Sequence, residues 1–105
     1  MRIIFSQNVI YFLTDLIEIL YNKEYFGFKD SAKKYVEDLV IEIESSITTK
    51  HKKFAPEYFS RYDKNMYYVS YRRNKNTTWY IFFNYTQEMY YIRFIGNNHS
   101  IGQYL

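Results

Sequence analysis

The chain has no cysteine, which excludes disulfides and thiolate-bound zinc. It has one proline and three glycines among 105 residues. No glycine-rich loop of the kind that cradles phosphates is present, and neither is a nucleophile elbow. Two histidines, His51 and His99, without cysteines make a poor metal set, so no metal or other cofactor is expected. Long apolar runs are also missing. No stretch approaches the ~20 apolar residues needed to span a bilayer. The opening segment MRIIFSQNVIYFLTDLIEIL is interrupted by Asp15 and Glu18 and lacks a small-residue cleavage site, so it reads as part of a mature, cytoplasmic protein.

Apolar residues make up 48% of the chain, enough for a core, and the length fits one domain over residues 1–105. Tyrosine occurs fourteen times. Several of these rings should reach the surface, where they can stack on bases or anchor an interface. Charge is unevenly placed. Residues 1–47 hold five Lys/Arg against eight Asp/Glu, whereas residues 48–105 hold nine against three. The basic half is either ordinary solvated decoration or a face for nucleic acid or an acidic protein.

Arg2 to Phe5 reads as a short strand, with Ser6 as the N-cap of a helix. Val9, Phe12, Leu13, Leu16 and Leu20 follow at helical spacing. That helix should fade near Asn22, with Gly27 at a corner. A second helix, starting near Asp30 or Ser31, carries a buried stripe of Ala32, Val36, Leu39, Val40, Ile43 and Ile47. The two form an antiparallel hairpin. Phe54 to Asn65 reads as irregular with one helical turn. Three strands complete the pattern, near Tyr67–Arg73, Thr77–Asn84 and Met89–Ile95, with turns at NKN and TQE. The expected fold is α+β, with the N-terminal strand and helix pair packed on an antiparallel sheet that ends in a meander. Alternation puts Tyr68, Ser70 and Arg72 on one face and Val69, Tyr71 and Arg73 on the other. It likewise opposes Tyr80 and Phe82 to Trp79, Ile81 and Phe83, and Ile92 and Phe94 to Arg93 and Ile95.

The segment MYYVSYRRNKNTTWYIFFNYTQEMYYIRFIGNNHSIGQYL, Met66 to Leu105, resembles the RelE/ParE superfamily of type II toxins. It is most similar to a plasmid-stabilisation branch with an NTTWYIFF-like strand and an NNH tail. The resemblance implies one of two activities. RelE-like members cut mRNA in the ribosomal A site without metal, and ParE-like members inhibit DNA gyrase. Both are normally held by a cognate antitoxin. By position, Arg72 matches a basic strand residue that grips phosphate, Tyr104 falls near a tail tyrosine, and His99 falls where some members place a catalytic histidine. Ser70 stands where a second lysine is expected, Trp79 at or beside an arginine position, and Asn98 at another. Cutting of ribosome-bound mRNA is the first expectation; these departures lend weight to gyrase inhibition as its alternative, and a degenerate binding module is a third.

The residues themselves suggest how RNA would be cut. Attack of a 2′-hydroxyl on the adjacent phosphate needs a base, an acid and positive charge. Histidine is the side chain that ordinarily changes charge between pH 5 and 8, which makes His99 the candidate base. Its bland alternative is a capping or surface role. Arg72 and Arg73 can donate to phosphate, although alternation lets only one face a given site. Tyr104 either assists catalysis or seals the sheet edge. Trp79 either packs in the core or offers a stacking platform to RNA or a partner. Lys50, Lys52 and Lys53 form either a solvated helix end or a patch that steers RNA or antitoxin.

Overall fold

A computed structural model of the chain describes residues 1–23 and 27–105. The elements run β1 (Arg2–Phe5), α1 (Gln7–Asn22), α2 (Lys29–Ser46), β2 (Lys53–Phe54), β3 (Tyr67–Asn74), β4 (Thr77–Tyr85), β5 (Met89–Asn97) and α3 (Asn98–Ile101). Short 3-10 turns occupy Ile47–Thr49, Glu57–Arg61 and Gly102–Tyr104. The order of strand, helix, helix and meander is the expected one, and the class is α+β. The corner expected at Gly27 is a bend just before α2, and residues 24–26 lie outside the described residues. No helix among the described residues is long and apolar enough to cross a membrane.

The chain divides into two compact units: residues 10–50, and residues 1–9 together with 51–105. In the first unit, α2 buries Ala32, Val36, Leu39 and Ile43, and Ile47 follows them into the interior. Val40 is only half-buried. Of the α1 stripe, Leu13 and Leu16 are buried, while Phe12 and Leu20 are half-buried. These positions recur every three or four residues, so a helix brings them to one side. An ion pair between Lys29 and Glu18 ties the start of α2 to α1. It holds the Lys29 ammonium above its ordinary pKa, first through the hydrogen bond to Glu18 and then through that carboxylate's charge.

The second unit is a five-stranded sheet in the order β1-β5-β4-β3-β2. It is mixed, not antiparallel as expected, because β1 lies parallel to β5, with Arg2 opposite Met89 and Phe5 opposite Ile92. Ser6 caps α1 as anticipated: its Oγ accepts from the Val9 N–H at 3.3 Å, and Val9 is buried. The segment read as irregular begins instead with β2, which pairs antiparallel with β3 through Lys53–Tyr68 and Phe54–Tyr67. A two-residue strand is too short to show a period. The single helical turn anticipated after it is the one at Glu57–Arg61.

Two register shifts modify the alternation. Arg72 pairs with Thr78 and Asn74 with Thr77, leaving Arg73 as the extra residue. Phe82 pairs with Phe94 but Phe83 with Ile92, leaving Arg93 as the extra residue. Ile92 and Phe94 therefore lie on opposite faces, and Ile95 joins Ile92, which reverses the expected grouping. One face buries Val69, Tyr71, Trp79, Ile81, Phe83, Tyr90, Ile92 and Ile95. On the other, Phe82 joins Phe59, Met66 and Ile101 in a second cluster, flanked by Tyr58, Tyr68, Tyr80, Phe94 and Tyr104. The middle strand is apolar on both faces because both are covered at its centre.

Candidate functional site

The face that carries Phe82 is the candidate site, because it also carries Tyr68, Ser70 and Arg72 of β3 and Thr78 and Tyr80 of β4. Arg72 is exposed, and its Nε donates to the Asn74 carbonyl at 3.1 Å. That bond folds the side chain toward the β3–β4 turn and uses one of the five guanidinium N–H groups. Arg73 sits half-buried at the bulge.

Beside Tyr68, Ser70 and Tyr80 lies a groove of about 300 Å3, lined also by His51, Lys53, Val69 and Leu105. β2 explains the placement. Lys53 lies opposite Tyr68, so its side chain stands on the same face. His51 is two residues before it, which in an extended segment repeats the orientation.

The tail positions His99 and Tyr104 by a chain of local bonds. Asn97 caps α3, its Oδ1 accepting from the His99 N–H at 2.9 Å and the Ser100 N–H at 3.1 Å. Asn98 clamps the β3–β4 hairpin: its Oδ1 accepts from the Thr78 N–H at 2.9 Å, and its Nδ2 donates to the Asn76 carbonyl at 3.0 Å. His99 is thereby left exposed, with Nε2 3.3 Å from Thr77 Oγ1. Farther on, the Tyr104 ring stacks on Tyr58 at 3.7 Å with an interplanar angle of 11°. The Arg61 guanidinium covers the Tyr58 ring at 4.2 Å.

Each expected residue has its own local setting. Arg72 lies on the groove's face. His99 meets Thr77, and Tyr104 is engaged with Tyr58 in the aromatic cluster. Trp79 is only 2% exposed and stands opposite Tyr71 on the other face. It packs in the core, and its ring is closed to an incoming base or partner. Two of the three lysines have contacts that can be described. Lys53 lines the groove. Lys52 lies over the rings of Tyr85 and Tyr90, 5.4 and 5.5 Å from their centroids. His51 is not among the residues expected at the site. Its spacing of two from Lys53 was the available signal, but reading it required knowing that β2 exists.

Among the described residues, no group of three or more His, Asp or Glu side chains is placed to hold a metal. The groove combines an imidazole, an ammonium, a hydroxyl and two phenols, with a guanidinium farther along the strand. Such a set can bind an anion, donate hydrogen bonds and pack an aromatic base. No family model, no curated protein and no solved structure matches the chain.

Proposed function

We propose that the protein is a RelE/ParE-like toxin of a type II toxin–antitoxin system that cuts ribosome-bound mRNA without a metal. The observation that carries this reading is the exposed basic and aromatic face of β3 and β4, where Arg72 shares a surface with Tyr68, Ser70 and Tyr80 beside His51 and Lys53. The element order adds support, since it is the one the resemblance implies.

In the proposed reaction the 2′-oxygen attacks the adjacent phosphorus and the 5′-oxygen leaves. A base takes the 2′-hydroxyl proton, and an acid returns one to the leaving oxygen. Arg72 holds the phosphate and offsets the charge that develops on it. His99 is the proton acceptor, kept at the hairpin by Asn97 and Asn98. Tyr104 fixes the tail through Tyr58 and orients the RNA. The remaining groups come from the ribosome. A cognate antitoxin covers the same face through a segment that orders on binding.

Cleavage of mRNA on programmed ribosomes tests the reading, with DNA supercoiling by gyrase followed in parallel. His99→Gln should slow cleavage roughly 10²–10⁴-fold, the usual range for a general acid or base. Full activity in that variant removes His99 as the base. Gyrase inhibition by a wild-type protein that leaves mRNA intact transfers the assignment to the ParE-like activity.

A further inference from the structure

We infer that Thr77 and Asn98 are positioning residues: they hold the His99 ring on the β3–β4 hairpin with Nε2 protonated, so that Nδ1 is the atom that takes the 2′-hydroxyl proton. The inference rests on the RNA-cutting reading and adds to it the reacting nitrogen and the two side chains that present it.

The geometry begins with Asn98. The β4–β5 ladder ends at the pair of Trp79 and Asn97. One residue on, the Asn98 side chain extends it: Oδ1 accepts from the Thr78 N–H at 2.9 Å and Nδ2 donates to the Asn76 carbonyl at 3.0 Å. A side chain that meets one backbone donor and one backbone acceptor at once fixes the start of α3 against the hairpin. His99 comes next, its own N–H held by Asn97 Oδ1. Only the ring torsions are left free, and the contact of Nε2 with Thr77 Oγ1 at 3.3 Å takes up that freedom. The same stretch anchors the guanidinium. Arg72 Nε donates to the Asn74 carbonyl, and Asn74 Oδ1 accepts from the Asn76 N–H at 2.8 Å. Residues 74–78 thus hold both the group assigned to the phosphate and the group assigned to the proton.

The Thr77 contact also decides which nitrogen can act. A neutral imidazole has one N–H and one lone pair, and a hydroxyl can donate or accept. If Thr77 donated, it would occupy the only lone pair, and no nitrogen would remain to accept from RNA. If Thr77 accepts from the Nε2–H, the lone pair is on Nδ1. His99 is exposed, and among the described residues nothing bonds Nδ1. Only the second arrangement supplies a base. It also suits the step itself. The 2′ O–H bond breaks as Nδ1–H forms, the oxygen's electron pair closes on phosphorus, and the 5′-oxygen leaves with the electrons of its own bond. The imidazolium so formed keeps donating from Nε2 to Thr77, and no hydrogen bond of the ring has to break.

Two measurements test this, one of them without ribosomes. In 15N-labelled protein, two-bond 1H–15N spectra in mildly alkaline buffer should show the neutral His99 ring protonated at Nε2, and NOEs should connect that ring to the Thr77 methyl group. Asn98→Ala should abolish those NOEs while urea unfolding stays cooperative. On programmed ribosomes, Thr77→Val should lower kcat about 10- to 100-fold with KM unchanged, the loss expected from a misplaced reacting group. Thr77→Ser keeps the hydroxyl and should cut at close to the wild-type rate, while Asn98→Ala should fall with Thr77→Val. A ring protonated at Nδ1, absent NOEs, a Thr77→Val variant that cuts as the wild type does, or a Thr77→Ser variant equally impaired would overturn the inference and leave the nuclease reading standing. A wild type with the NOEs and the Nε2–H ring that leaves ribosomal mRNA intact would instead refute the nuclease reading, and the role of Nδ1 with it.

Discussion

Gly96 shows how much one missing methyl group decides. A Cβ there would lie 3.0 Å from Ile101 Cδ1 and 3.2 Å from its Cγ1 and Cγ2. Ile101 anchors the tail in the Phe59–Phe82 cluster, so β5 and α3 approach closely only because position 96 has no side chain. Gly96→Ala should cost about 1–3 kcal/mol by overpacking, measured by urea denaturation. It should also loosen the tail that carries His99. Other single residues were legible to different degrees. Alternation grouped Trp79 with Ile81 and Phe83, and only the strand register and burial resolved its packing role. The jobs of Asn97 and Asn98 could not be read from NNH, because each bonds backbone groups that only the folded hairpin brings near. Asn65 is similar. Its φ of 56° is one asparagine tolerates better than most residues, yet nothing in the string DKNM marks that turn over its neighbours.

At the scale of elements, periodicity spoke clearly where an element is long. The α2 stripe appears in the sequence because eighteen residues give several turns of repetition. Leu39, fully buried within it, should cost about 2–5 kcal/mol on replacement by Ala. Urea denaturation will show it, and a change under about 0.5 kcal/mol, the usual surface value, would contradict the burial. The contact between Lys29 and Glu18 makes a separate, pH-dependent prediction. Folding raises the Lys29 pKa above its ordinary 10.5, so its contribution is fully present below that value and is lost as pH rises through the folded-state pKa. Wild type and Lys29→Met should therefore converge in stability at strongly alkaline pH and differ at neutral pH, as denaturant midpoints will show. The two bulges were invisible. An extra residue looks like any other member of an alternating string until its partner strand is known. Arginine occupies both: Arg73 on β3, and Arg93, which pairs with Asp63 at 3.3 Å and donates to Asn84 at 3.1 Å.

Across the whole molecule, class and element order were legible, while strand direction and the candidate groove were not. Helices and meander announce themselves through local patterns. The partner of β1 is a long-range choice, and RIIF would suit either direction of pairing. The groove escaped notice for the same reason, since His51 and Lys53 join Ser70 and Tyr80 only through β2. The parallel β1–β5 pair has a kinetic consequence. Residue 2 meets residue 89, so that contact closes a very long loop, whereas β3–β4 and β4–β5 close short ones. Loop-closure entropy predicts the order of events: the meander should form first, and β1 should dock after the rate-limiting barrier. Ile3→Ala, in the strand that docks last, should steepen no arm of the chevron. It should raise the unfolding rate while leaving the folding rate nearly unchanged, so that stability is lost through a shorter lifetime of the native state.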